Sequence, residues 1–350
     1  CVAPDDEPRA GSLGDVTSRF SPRPFAGGSS LDPAHDQEVD VTAQNGNVIE
    51  TTDLTKVYGD VVAVDRLTLR VPRGGVFGFL GPNGSGKTTT MGMLLGLVHP
   101  TSGDARIFGD PARHPATLRR VGAMVETPTF YPYLSGRANL LYFQGIGRRG
   151  TAADVDRLLD LVDLGKRAGS KYATYSLGMK QRLGIACALL GDPELVFLDE
   201  PTNGLDPAGV VEVRELIRDL GKGGRTVVLS SHLLAETELV CDNVAVLSRG
   251  KLIAQGSIQE LLRQHDGFRL RTTDDAKARA ALADMRWVQH AEHQDGGLMV
   301  TAPPSRAWEI SRELAQRQVY INELMPVHRS LEEFFMEITG TDPVTGKEKP

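Results

Sequence analysis

Residues Gly81, Pro82, Asn83, Gly84, Ser85, Gly86, Lys87 and Thr88 form a complete G-x-x-x-x-G-K-[ST] run. Its chemistry is phosphate binding. Glycines let backbone N–H groups turn inward on phosphate oxygens, and a following helix N-terminus adds positive potential. Lys87 can reach the terminal phosphates of a nucleoside triphosphate, and the Thr88 hydroxyl can ligate Mg²⁺. Thr89, next in line, is counted with the nucleotide-binding residues. A second run, Glu194-Leu195-Val196-Phe197-Leu198-Asp199-Glu200, is an apolar segment ending in two carboxylates. Asp199 suits Mg²⁺, directly or through water, and Glu200 suits polarising an attacking water. Alone, such a run is as well explained as a buried strand with two solvated acids. It gains meaning 112 residues after Lys87 in the same chain. A third segment, Tyr175 to Arg182, opens a helix with Ser176 as a natural N-cap. Either it is only a capped helix, or Ser176, the Gly178 amide and the helix dipole face an anion. That anion need not be bound by the same subunit.

The elements around these runs follow an α/β pattern. Val76-Phe77-Gly78-Phe79-Leu80 reads as the strand entering the loop, and 88–98 as the helix leaving it. Leu195 to Leu198 and Thr226 to Ser230 are continuous apolar runs, as in strands buried on both faces of a parallel sheet. An amphipathic helix, 208–220, lies between them. Short strands are expected at 48–50, 61–65, 67–71 and 105–108. A helical stretch is expected from about 136 to 190. From about 265 the order reads β-α-β-β-α-β, a ferredoxin-like arrangement, followed by a last helix at 330–338. Trp287, Trp308, Phe334 and Phe335 in this segment read as core.

The chain has 350 residues, enough for two domains. No apolar run approaches the roughly 20 residues a bilayer crossing needs. Three widely spaced cysteines, Cys1, Cys187 and Cys241, fit a reducing compartment and not a disulfide or zinc framework. The first methionine is Met91, so the natural start is expected outside this chain. Residues 1–46 hold eight acids, three arginines and five prolines, without helical or strand periodicity. They read as a disordered acidic extension. The remainder is near neutral, which argues against a dominant nucleic-acid footprint.

The three runs occur in order, followed by Asn203-Gly204-Leu205-Asp206-Pro207 and by Ser230-Ser231-His232 at the end of a strand. From about 48 to 262 the set resembles the ATP-binding subunit of an ABC transporter. The resemblance implies a P-loop α/β domain with a helical subdomain, about 127–190, within 47–264. A small α+β accessory domain at 265–340 and a tail at 341–350 would follow. It implies that Tyr58 stacks on adenine, that Asp206 helps join two subunits, and that His232 contacts the γ-phosphate. It further implies an ATPase working as a dimer, with ATP between the phosphate loop of one copy and Ser176 of the other. An intact catalytic set favours a homodimer. The cofactors implied are ATP and Mg²⁺. The implied partner is a separate membrane permease, which puts the chain on the cytoplasmic face of the cell membrane.

Two departures stand out. Glu126 occupies the position where most of the family has glutamine, and it is expected to reach Mg²⁺ or water. The signature reads Tyr175-Ser176-Leu177-Gly178-Met179. Both are similar to the subgroup associated with bacitracin-type and lantibiotic-type peptide resistance or export. The alternative is a soluble ABC-type ATPase acting on nucleic acid or the ribosome. Against it, only about 110 residues separate the two nucleotide motifs, too few for a long coiled-coil insertion, and one nucleotide domain is present instead of two. A P-loop kinase is opposed by the signature segment and His232.

Overall fold

The computed structural model describes residues 46–126, 129–263, 267–294, 296–327 and 330–339. The expected disordered extension and the 341–350 tail lie outside the described residues, save Gly46. The chain runs β1 (Asn47–Tyr58), β2 (Val61–Leu67), β3 (Arg70–Pro72) and β4 (Gly75–Leu80), then α1 (Lys87–Leu94). β5 (Ser102–Ile107), β6 (Asp110–Pro111) and α2 (Pro115–Leu118) lead to β7 (Val121–Met124). Three helices follow, α3 (Gly136–Gly147), α4 (Ala152–Leu161) and α5 (Leu177–Ala188). Next come β8 (Leu195–Asp199), α6 (Pro207–Lys222), β9 (Thr226–Ser231), α7 (Leu234–Val240), β10 (Asn243–Ser248), β11 (Lys251–Ser257) and α8 (Ile258–Arg263). The last part holds β12 (Gly267–Thr272), α9 (Asp275–Ala283), β13 (His290–Gln294), β14 (Gly297–Thr301), α10 (Ala307–Gln316), β15 (Ile321–Val327) and α11 (Leu331–Thr339).

Six strands form the main sheet in the order β11-β10-β4-β9-β8-β7. All neighbours are parallel except β11 on β10. Side chains alternate across a strand, so each face collects every second residue. Val76, Leu80, Val196, Leu198, Val227 and Leu229 face one way, into a core with α3 to α7. Phe77, Phe79, Leu195, Phe197 and Val228 face the other, into a core with α1 and the small antiparallel sheet of β1, β2, β3, β5 and β6. Burial on both faces explains the unbroken apolar runs. The register aligns the carboxyl ends of β4, β9, β8 and β7: Phe79 pairs with Ser230, Asp199 with Ser230, and Leu198 with Met124. Ligands of open parallel sheets bind at that edge.

The C-terminal strands form a separate antiparallel sheet, β13-β14-β12-β15. With α9 and α10 this is the ferredoxin-like order expected from the sequence. It has its own core of Phe268, Leu270, Ala281, Leu282, Leu298, Ile310 and Leu314. The last helix does not join it. Leu331, Phe334 and Phe335 of α11 are buried with Leu234, Cys241 and Ile258 in the main core. The backbone N–H of Leu331 donates to Glu238 Oε2 of α7 at 2.9 Å.

Several expectations need correction. Residues 67–71 are not one strand: β2 ends at Leu67, and β3 starts only at Arg70. Between them the pairing with β1 is interrupted where the Thr51 hydroxyl donates to the Leu67 carbonyl and accepts from the Leu69 N–H; β3 then resumes antiparallel pairing with β1 at Glu50. The helical stretch expected at 136–190 is present, as three α-helices each opened by a hydroxyl cap, Ser135, Thr151 and, as expected, Ser176. Arg148 closes the first in a left-handed conformation. Trp308 is not core; it is 59% exposed on α10. No helix of the described residues is long and apolar enough to cross a membrane.

Candidate functional site

The phosphate loop joins β4 to α1. Gly81, Gly84 and Gly86 have φ of 147°, 80° and 102°, a region that side chains with a Cβ rarely enter. Two are also closely packed. A Cβ on Gly81 would lie 2.2 Å from the Leu247 carbonyl oxygen, and one on Gly86 2.7 Å from that of Ala63. Glycine is therefore required by conformation and by space, and the loop backbone is left free to face phosphate oxygens. Ser85 is buried, and its hydroxyl has no hydrogen-bond partner among the described residues.

Lys87 folds back over this loop. Its ammonium donates to the Gly81 carbonyl at 2.7 Å and the Pro82 carbonyl at 3.3 Å. Glu200 Oε1 lies 3.8 Å away. Lys87 is only 6% exposed. Burial holds the ammonium below the usual lysine pKa, opposed by the Glu200 and Asp199 carboxylates.

Asp199 ends β8, where its carboxylate meets two hydroxyls. Thr88 Oγ1 donates to Asp199 Oδ1 at 3.4 Å, and buried Ser230 also donates to Oδ1. Thr88 and Asp199 thus bring two hard oxygen donors together. That set fits Mg²⁺, which favours one or two protein oxygens and completes its shell with water and phosphate. Glu200 comes next, in a left-handed conformation with φ 48°. Its backbone N–H donates to Ser230 Oγ at 2.9 Å. Its Oε2 lies 2.8 Å from His232 Nδ1. That contact leaves the other ring nitrogen for a different partner. Lys87, Thr88, Asp199, Glu200 and His232 therefore form one connected group.

The remaining expected site residues lie outside this group. Glu126 follows β7 by two residues with φ 61° and is exposed. Among the described residues no hydrogen bond joins it to Thr88 or Asp199. Tyr58 ends β1, 48% exposed, with the Lys56 ammonium 4.7 Å from its ring centroid. Asp206 caps α6, accepting from Gly209 N at 3.3 Å. Ser176 caps α5, accepting from Met179 N at 3.3 Å, and is exposed. Among the described residues, neither Ser176 nor Gly178 makes a hydrogen bond to the phosphate loop of its own chain.

The ABC transporter family model matches residues 64–203. The bacitracin transport ATP-binding protein BcrA of Bacillus licheniformis is 39% identical over 301 residues, 84% of this chain and 97% of the relative. The chain belongs to the ABC transporter ATP-binding family. This ABC ATPase is also 35% identical over 313 residues to the daunorubicin/doxorubicin resistance ATP-binding protein DrrA of Streptomyces peucetius. That match covers 86% of the chain and 94% of DrrA. A solved ATP-binding subunit of an ABC transporter shares 32% identity at a TM-score of 0.55, over 61% of this chain and 91% of the other. A second, cbiO1 from Clostridium perfringens, part of the cbiONQ transporter complex, shares 27% at 0.56 over 62% and 90%.

Two contacts of this ABC ATPase escape sequence reasoning. Ser230 bridges Asp199 and Glu200, and Gln181 Nε2 of α5 donates to the Glu200 carbonyl at 3.5 Å. The only sequence signal was a serine two residues before His232; the Gln181 contact arises solely from packing.

Proposed function

We propose that this ATPase powers the export of a peptide antibiotic or other drug-like compound through a separate membrane permease. The near full-length likeness to ATP-binding proteins named for bacitracin transport and daunorubicin/doxorubicin resistance carries this reading. It also disfavours action on nucleic acid or the ribosome. With no bilayer-crossing helix among the described residues, the pore is assigned to the permease, and this chain to the cytoplasmic face beneath it.

In this reading Gly81 to Thr89 hold the triphosphate of ATP and Tyr58 stacks on its adenine. Thr88 and Asp199 would hold Mg²⁺, with Glu126 as a further candidate oxygen ligand. Bound there, Mg²⁺ would offset charge on the terminal phosphate oxygens. Glu200 orients water in line with the γ-phosphate and takes its proton as general base. The new bond forms from the water oxygen to phosphorus, and the bond to the β-phosphate oxygen breaks. ADP leaves with that electron pair. Lys87 stabilises the leaving charge. His232, held through Nδ1 by Glu200, offers Nε2 to the γ-phosphate. The exposed Ser176, unconnected to its own phosphate loop, supports a second copy as the source of the opposing wall, with Asp206 at the seam. We assign 47–264 to the nucleotide domain and 265–340 to an accessory domain, with α11 packed on the former.

The test uses the full-length chain and Glu200→Gln. The variant is expected to bind ATP normally and to lose about 10²-fold or more in phosphate release, the scale of a general base. Near-normal release would remove Glu200 from its role. Co-expression with a membrane permease of this transporter class should raise peptide-antibiotic resistance, and the two should co-purify. Failure of both would overturn the transport reading.

A further inference from the structure

Glu200 combines two features that need an explanation. It is a non-glycine residue in the left-handed region, and its peptide groups are held from two different elements. A left-handed conformation costs such a residue roughly 1–2 kcal/mol, so it persists only where surrounding contacts impose it. On the amino side, the Glu200 N–H donates to Ser230 Oγ of β9 at 2.9 Å. On the carboxyl side, the Glu200 carbonyl accepts from the Asn203 N–H of the following turn at 3.1 Å and from Gln181 Nε2 of α5 at 3.5 Å. Both clamping residues are buried, Ser230 at 0% and Gln181 at 4% exposure. The Ser230 hydroxyl has one proton, which goes to Asp199 Oδ1. Its lone pair then accepts the Glu200 N–H. One hydroxyl thereby fixes the spacing of both acidic side chains. The β8–β9 register, with Asp199 opposite Ser230, makes this geometry automatic.

We propose that Ser230 and Gln181 are positioning residues that lock the Glu200 backbone in its left-handed turn, so that its carboxylate faces Lys87 and His232. Neither residue touches substrate. They act through Glu200, so the inference rests on the role given to Glu200 above. The two clamps are unequal. The Ser230 contact is short and shared with Asp199, and its loss releases both acids. The Gln181 contact is long, and it ties Glu200 to the helix whose first turn is capped by Ser176. The state of the Ser176 end of α5 therefore reaches the catalytic carboxylate of the same chain along one rigid helix.

The test compares Ser230→Ala, Ser230→Thr, Gln181→Ala and Glu200→Gln in the full-length chain, alone and in combination. ATP affinity is read with a fluorescent ATP analogue, kcat and KM by phosphate release, and thermal midpoints for each variant. Ser230→Ala is expected to lower kcat about 10–100-fold, the usual effect of removing a residue that orients a metal-site ligand. Analogue affinity should stay within about threefold. Gln181→Ala should lower kcat less, and Ser230→Thr, which keeps the hydroxyl, should recover most of the loss. In the Glu200→Gln background only the share of the Ser230→Ala loss that acts through Asp199 remains, so the fold-loss should be clearly smaller than in the wild type. An equal fold-loss in both backgrounds would overturn the proposal, as would a wild-type kcat for Ser230→Ala beside an inactive Glu200→Gln. Full activity of Glu200→Gln alone would refute the base assignment and the clamp with it.

Discussion

Replacing Phe335 by alanine tests whether the last helix belongs to the nucleotide-binding core. Phe335 is fully buried in the main core, which also holds Leu198, Leu229 and Val246 of the strands that carry the site, and its helix packs on α7 and α8. Phe268 is equally buried, but in the separate core of the C-terminal sheet. Each Phe→Ala change leaves a cavity and should cost about 3–5 kcal/mol. At about 2–4 °C per kcal/mol for a unit the size of the nucleotide domain, the Phe335→Ala core should melt about 6–20 °C earlier, and at about 4–8 °C per kcal/mol for the smaller C-terminal unit, the Phe268→Ala core about 12–40 °C earlier. The two cores can be followed separately. The only tryptophans are Trp287 and Trp308, both in the C-terminal segment, so their emission reports that segment alone. A bound fluorescent ATP analogue reports the nucleotide core. Phe335→Ala should lower the temperature at which the analogue is released. Phe268→Ala should lower the tryptophan transition and leave analogue release near its wild-type midpoint. If Phe335→Ala moves only the tryptophan signal, or Phe268→Ala shifts both equally, the two-core reasoning fails.

Two further outcomes follow from the site. Lys87→Met should abolish the ATP-dependent rise in thermal midpoint. Because burial depresses the Lys87 pKa in the folded state, the unfolded chain holds its proton to higher pH. Wild-type stability measured relative to Lys87→Met should therefore increase as pH rises through the window below the ordinary lysine value of 10.5; a flat or falling difference from pH 8 upward would count against it. Glu126→Gln should shift the Mg²⁺ concentration that half-saturates hydrolysis, and superimposable titration curves would show that Glu126 does not act through the metal.

Much of the site was legible because phosphate chemistry dictates residue types locally. The loop glycines are demanded by positive φ at Gly81, Gly84 and Gly86, a constraint visible as spacing. β8 and β9 were readable because burial on both faces leaves no polar positions until the catalytic end. The same logic applied to β10, where Val244, Ala245, Val246 and Leu247 are all buried, yet this strand between β4 and β11 was passed over. Phe334 and Phe335 were rightly read as core, but pattern alone cannot say which core a helix enters. Trp308 shows the converse, since helical spacing does not reveal a face left uncovered. The Ser230 and Gln181 contacts were invisible because they join residues 30 and 19 positions from Glu200. Only the strand register and helix packing bring them together.

The return of α11 to the main core also sets how the C-terminal sheet can move. α8 leads the chain out and α11 leads it back, and the two helices pack against each other. The sheet is thus spliced into the ATPase at a pair of adjacent anchor points, and does not trail from a single tether. A body held this way cannot swing freely; its soft motion is rocking about the line joining the anchors. A push on its outer surface, at Trp308 or Tyr320, then arrives as a torque on α11 and, through Glu238, on α7. That helix begins two residues after His232.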